Sequence, residues 1–230
     1  MKKQLYFLAV FLLVSTLIFS QKTTDECVFC KNNEVTYLKY SSAVGQQNTS
    51  TGHASFAGGI NSVATGDYSF TFGENSIASG KSSISLGFET KAGYRRAIAI
   101  GYFAEADLNS SIAIGKYVKT LAPNAITFGS GYGSVMLENS IQSTMMIGFN
   151  SQYPTLFIGK SPLGDKTGSI GIGNITENLQ AKLHIKADIE EDASIMLEPA
   201  STTNYAKIFF GDIDNRIEGR DGEGLIFNTQ

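Results

Sequence analysis

Along the middle of the chain, large apolar residues come in pairs two positions apart, and the pairs recur every 14 residues: Phe70 with Phe72, Ile84 with Leu86, Ile98 with Ile100, Ile112 with Ile114, and Ile126 with Phe128. One repeat earlier stand Phe56 and Gly58, and after two breaks of phase the motif returns as Met145/Ile147, Leu156/Ile158 and Ile170/Ile172. Each pair occupies the fourth and sixth places of a heptad such as Asn109 to Gly115, and the third place is small in every copy: Ser55, Ser69, Ser83, Ala97, Ser111, Ala125, Thr144, Thr155 and Ser169. Alternation with a period of two is a strand signal, because successive side chains point to opposite faces. Each copy therefore predicts a strand with its bulky pair on one face and the small third and fifth residues on the other. The small face fits a thin interior between two close layers, and the bulky face points out of the coil.

The intervening heptads carry Thr49/Thr51, Val63/Thr65 and Ile77/Ser79 at the corresponding places, then Lys91, Glu105/Asp107 and Lys119, so this half of the unit is expected to face water. Glycine at 45, 52, 59, 66, 73, 80, 87, 101, 115 and 129 fills ten of the thirteen places on one seven-residue grid. A coiled coil is excluded, since each glycine would cost about 1 kcal/mol in a helix. The period belongs to an all-β fold, a parallel β-solenoid with 14-residue coils, each advancing by one strand spacing of about 4.8 Å. Carried through Gly173, the pattern predicts about nine coils and roughly 43 Å with parallel strands throughout. A soluble monomer does not leave a stripe of 17 large apolar residues in water, so copies of the chain are expected to pack their stripes around a common axis. The expected core of that assembly is Phe70, Phe72, Ile84, Leu86, Ile98, Ile100, Ile112, Ile114, Ile126 and Phe128.

The repeats at Ser111 to Gly115 (SIAIG), Ala97 to Gly101 (AIAIG), Ala125 to Gly129 (AITFG) and Asn75 to Gly80 (NSIASG) resemble those of trimeric autotransporter adhesin head domains. The resemblance covers about Lys39 to Gly173 and implies a left-handed parallel β-roll, a homotrimer with an apolar axis, and an adhesive outer surface. After the repeats the sequence departs from that family, with neither a long heptad stalk nor a membrane β-barrel recognised, so the resemblance does not extend to self-anchoring in an outer membrane. Ser169 to Asp188 (SIGIGNITENLQAKLHIKAD) is similar to a junction found in phage tail-fibre-like and secreted bacterial surface proteins. Beyond it, Ala193 to Leu197, Ala206 to Gly211, Asn215 to Glu218 and Leu225 to Asn228 read as short strands of a small β cap. The expected organisation is a leader at 1–20, a cysteine-bearing segment at 21–38, the β-roll at 39–173 and a C-terminal β-rich domain at 174–230.

The leader reading rests on Lys2 and Lys3 followed by the apolar run Leu5 to Phe19, which at 15 residues is shorter than the ~20 needed to span a bilayer. Export and a mature chain without a membrane span follow as expectations. The two cysteines, Cys27 and Cys30, lack the further ligands of a zinc site and the βαβ setting of a redox motif, which leaves a disulfide within one chain or between neighbouring chains. Charged residues are 17% and the net charge is −3, falling to −5 without Lys2 and Lys3, which argues against nucleic acid as a partner.

His53 and His184 lie 131 positions apart and read as a turn and a strand residue, not as ligands. No nucleophile elbow, phosphate loop or metalloprotease helix is present. Asp212, Asp214, Asp221 and Glu223 lack calcium-loop spacing. No cofactor and no metal are expected. The function expected is that of a secreted or surface-exposed, non-enzymatic adhesin- or fibre-like protein whose partners are further copies of itself and a cell-surface glycan or protein. Tyr94, Tyr102 and Tyr132, with the loops Ser130 to Ile141 and Asn150 to Pro154, are the candidate ligand contacts. The alternatives are a polysaccharide-binding or polysaccharide-cleaving tail-spike-like protein, and more remotely an ice-binding solenoid, for which only Thr49/Thr51 offers a Thr-x-Thr rank.

Overall fold

The computed structural model describes residues 31–36, 39–175, 179, 181–197, 206–210, 212–219 and 226–228. These form twenty strands, numbered in chain order, and no α-helix. The chain divides into two compact units, the first ending at Asp188 and the second beginning at Ile189.

The first unit is the solenoid that the 14-residue repeat requires. One ladder holds the apolar pairs: β2 (Ser42–Gln46), β4 (Phe56–Ile60), β6 (Phe70–Glu74), β8 (Ile84–Phe88), β10 (Ile98–Ala106), β11 (Ile112–Thr120), β12 (Ile126–Ser130) and β14 (Met145–Gly148). A second ladder holds the intervening heptads: β1 (Glu34–Val35), β3 (Thr49–Ser50), β5 (Val63–Ala64), β7 (Ile77–Ala78), β9 (Lys91–Ala92), the later halves of β10 and β11, and β13 (Leu137–Asn139). Both ladders are parallel, with Ile98 opposite Ile84 and Ile112, and Glu105 opposite Lys91 and Lys119. At about 4.8 Å per step, the seven steps from β2 to β14 build roughly 34 Å of stacked coil.

Two corners join the ladders, and glycine serves each for a different reason. At the corner that ends each apolar strand, Gly115 has φ +139°, and a Cβ there would also overlap the carbonyl oxygen of Gly129 on the next coil. At the opposite corner, Gly66 has no such dihedral, but its added Cβ would overlap the carbonyl of Gly80. Close approach of backbone to backbone, repeated at each level, explains why the grid needs glycine at both phases.

The interior is as thin as the sequence implies. Ala57, Thr71, Ser85, Ala99, Ala113 and Thr127 form one buried column, faced across the gap by Ala64, Ala78, Ala92 and Ala106. Its hydroxyls bond to one another: Ser85 and Thr90 Oγ atoms are 2.8 Å apart, Thr90 donates to Ser76 at 2.9 Å, and Thr120 and Thr127 lie at 2.7 Å. These bonds offset the cost of burying polar groups in a dry gap.

Three expectations are corrected. The strands are not parallel through Gly173: β15 (Leu156–Gly159) runs antiparallel to β14, and β16 (Ser169–Gly173) antiparallel to β15, before β17 (Leu183–Lys186) pairs parallel to β16. For β15 the reason is chain length, since 11 residues separate Met145 from Leu156 where a full coil needs 14, and the chain makes a hairpin instead; Ile170 follows Leu156 by a full 14, so length does not account for the reversal of β16. The inner residues also cease to be small at Met146 and Phe157, which are buried with Ile175 in a separate core flanked by Ile141 and Leu179. Past β13 no described strand of the second ladder lies opposite, so the thin gap that excludes large side chains has ended. Finally, Ala193 to Leu197 is not a strand. The second unit consists, among its described residues, of β18 (Ala206–Phe210), β19 (Asp212–Gly219) and β20 (Ile226–Asn228) in an antiparallel sheet with an irregularity at Phe209/Phe210.

Candidate functional surface

The outer face of the first ladder is an apolar stripe. Phe70, Ile84, Ile98, Ile112 and Ile126 align in one column, and Phe72, Leu86, Ile100, Ile114 and Phe128 in the next. In the single chain they stand half-buried or exposed, Phe72 at 53% and Phe128 at 41%. The gap in the stripe at Gly58 is filled from its neighbours, because a Cβ there would meet the rings of Phe56 and Phe72 at 2.6–3.0 Å, and Phe56 stacks on Phe70 at 5.0 Å. The reversal of β15 and β16 leaves the columns unbroken. Met145 lies opposite Ile158, which lies opposite Ile170, which lies opposite Leu183, and the second column continues through Ile147, Leu156, Ile172 and Ile185. From β2 to β17 only Ser42 and Gly58 interrupt two columns across eleven strands.

The outer face of the second ladder is polar, with a ladder of charges rather than threonines. Thr49 is followed in register by Val63, Ile77 and Lys91. Lys91 reaches Asp107 at 3.0 Å, and Lys119 reaches Glu105 at 2.6 Å and Asp107 at 3.7 Å. The hydrogen bond to Glu105, opposed by partial desolvation and aided by the charges of Glu105, Asp107 and Glu138, raises the Lys119 ammonium above its ordinary pKa of 10.5. These carboxylates are thus held by lysines, an arrangement that fixes the ladder rather than freeing an acid and a base for catalysis.

The three tyrosines singled out from sequence are not gathered in one place. Tyr94 is 49% exposed at the corner preceding β10, where its carbonyl accepts from the Ala97 N–H at 3.0 Å. Tyr102 is 41% exposed at the opposite corner, and Tyr132 is 63% exposed on a loop beyond it. That loop accounts for one break of phase: Leu137 pairs with Val118, 19 positions earlier instead of 14, and the Val135 N–H closes the added excursion by donating to Tyr132 O at 2.9 Å. The other loop, at Asn150 to Pro154, is the hairpin between β14 and β15.

Around Tyr102 the structure assembles three aromatics the sequence reading did not select. Phe88 stacks on Tyr102 at 5.0 Å, Phe103 on Tyr117 at 5.2 Å, and Tyr102 meets Phe103 edge-on at 4.8 Å. The Lys116 ammonium lies over the rings of Tyr102 and Tyr117 at 5.9 and 5.6 Å. The signal was present in the spacing, since 88 and 102, and 103 and 117, are each one coil apart. At the other corner His53 occupies a turn, edge-on to Tyr40 and Tyr68, and its N–H donates to Asp67 Oδ1 at 2.9 Å. His184 lies on β17 opposite Gly171. Cys27, Cys30 and the residues of the leader lie outside the described residues. Among the described residues no cluster of His, Cys, Asp or Glu could hold a metal ion, and no helix is long and apolar enough to cross a membrane.

The YadA head domain repeat matches residues 57–83, 64–90 and 95–117. These coils of the β-solenoid are similar to YadA head domain repeats, in agreement with the resemblance of the SIAIG-type motifs. No curated protein and no solved structure matches the chain significantly.

Proposed function

We propose that the protein is an exported, surface-exposed, non-enzymatic trimeric adhesin- or fibre-like protein that binds a cell-surface glycan or protein through the outside of its β-roll. The observation that carries this reading is the apolar stripe: two columns of large side chains run from β2 to β17 and hold their alignment even where two strands reverse direction. Burying each such side chain is worth roughly 1.5–3 kcal/mol before entropy losses, so association of copies along this face is strongly favoured. YadA head repeats belong to a trimer-forming adhesin family of bacterial surfaces, which supports both the three-fold assembly and the location.

In this assembly the stripes face the axis, while the charged second ladder and the loops carrying Tyr132 and Tyr153 face outward to meet ligand. A glycan-array and cell-binding screen of the purified full chain tests the reading. Saturable binding that weakens in Tyr132→Ala is the expected outcome. Trimers that bind no glycan or cell surface, or that cleave a polysaccharide, contradict it.

A further inference from the structure

The stripe is bounded by two corners of opposite character. The corner at the ends of β6 and β8 and in the middle of β10 presents Glu74 and Glu89 beside the aromatic group of Phe88, Tyr102 and Phe103. The corner at the starts of β8 and β10 presents Lys81, Arg95 and Arg96. All five charged side chains are exposed, and none forms an ion pair among the described residues. On the second ladder, by contrast, Lys91 and Lys119 are engaged with Glu105 and Asp107. At the levels of β8 and β10 the solenoid thus carries an acidic and aromatic edge and a cationic edge, both without ion pairs among the described residues, on either side of one apolar face.

The geometry points to a clasp between neighbouring copies of this chain, in which Lys81, Arg95 and Arg96 of one copy engage Glu89 and the Phe88/Tyr102 aromatic edge of the next. The inference rests on the trimer reading above and adds the contacts that fix its register. In a closed cyclic assembly whose axis follows the stack, strands of every copy run in the same sense around the axis. The end of one copy's apolar strand therefore meets the start of the next copy's strand, a heterologous contact that closes after one turn. A pure rotation preserves level, so Glu89 after β8 faces Lys81 before β8, with Arg95 and Arg96 one step of about 4.8 Å away.

Guanidinium groups pair with carboxylates and also lie against aromatic rings, so this corner offers arginine both kinds of partner. The attraction is confined to these levels: one coil earlier Glu74 stands at the level of Asp67. One coil further along, the acidic corner gives way to Lys116, and there the opposite corner carries the neutral Asn109 and Ser110. Two smooth apolar faces could slide by one coil, at 14 residues per step, with little loss of contact. Charges confined to two or three levels forbid the slip, a specificity role for which electrostatic complementarity is suited.

Charge exchange in the full chain tests the clasp. Glu89→Arg places a cation against Lys81, Arg95 and Arg96 of the neighbour, and Lys81→Glu with Arg95→Glu and Arg96→Glu places acids against Glu89. Each of these two variants should weaken assembly by about tenfold or more, seen by light scattering on dilution, with a larger effect at low salt. The quadruple variant restores opposite charges and should recover assembly. Wild-type trimers with both variants equally stable, or a quadruple variant no better than either, overturn the clasp and leave the trimer standing. Loss of glycan or cell binding in these variants with assembly intact assigns this corner to ligand and overturns the clasp likewise. A monomeric wild-type chain removes the trimer reading itself.

Discussion

At the scale of single residues, position within the coil decides what a substitution does. Ala113 is fully buried in the gap between the two ladders, and its neighbours above and below are Ala99 and Thr127. Leucine there must push the layers apart or twist off its rotamer, a cost of about 1–3 kcal/mol or more. Lys119→Leu removes an outward ion pair worth at most about 1 kcal/mol. Ala113→Leu should therefore lower the melting temperature far more than Lys119→Leu, and the reverse order would show that inner and outer faces are interchanged. The glycines separate in the same way. Gly115→Ala meets both a φ of +139° and the Gly129 carbonyl, whereas Gly133→Ala, at φ +59°, meets no atom within 4 Å. Denaturant titration should show a near-complete loss of folded protein for the first and a cost of about 1 kcal/mol for the second.

At the scale of elements, the charge ladder on the second half-coil has a definite pH signature. The Lys119 ammonium is raised above 10.5 chiefly by its hydrogen bond to Glu105. A group whose pKa is higher folded than unfolded contributes fully below the unfolded value and ceases to contribute as pH climbs through the folded one. The stabilisation by Lys119 is thus intact at pH 7 and disappears above about 10.5, so thermal melts of wild type and Lys119→Gln should converge in alkali and diverge modestly at neutral pH. Much of this ladder was legible in the sequence, because the 14-residue period puts Lys91, Glu105 and Lys119 in register without knowledge of the fold. The direction of β15 and β16 was not. A period-two alternation such as Leu156-Phe157-Ile158 reads the same from either end, so the apolar pattern fixes the face a strand presents and says nothing of its sense. For β15 only the spacing of 11 instead of 14 carried that information, and β16, whose apolar pair follows that of β15 by 14 positions, carried none. Phe103 and Tyr117 were hidden for a different reason: they stand at corners, outside the alternating positions, where side-chain direction depends on the positive φ of 51–52° that each adopts.

At the scale of the whole molecule, the decisive fact is that large apolar side chains and small interior ones occupy opposite faces of the same strands. Folding of one copy buries Ala, Ser and Thr, which contribute little hydrophobic free energy, and leaves Ile, Leu and Phe for association. The chain is therefore expected to depend on its neighbours for stability, with unfolding and dissociation occurring together and the melting temperature rising with concentration. Ile112 tests this most sharply. It lies in the middle of the stripe, flanked in register by Ile98 and Ile126, and is only half-buried in the single chain. In one isolated copy, Ile112→Asp places a carboxylate where water can reach it, a mild change. In a three-fold assembly it brings three carboxylates together near the axis without partners, where desolvation and mutual repulsion each cost several kcal/mol. Light scattering on the wild-type protein should give about three times the chain mass, and Ile112→Asp should abolish that species while Lys119→Gln leaves it intact. A wild-type protein that stays monomeric and well folded at micromolar concentration, or an Ile112→Asp variant that assembles normally, would place the stripe away from any axis and require another partner to cover it.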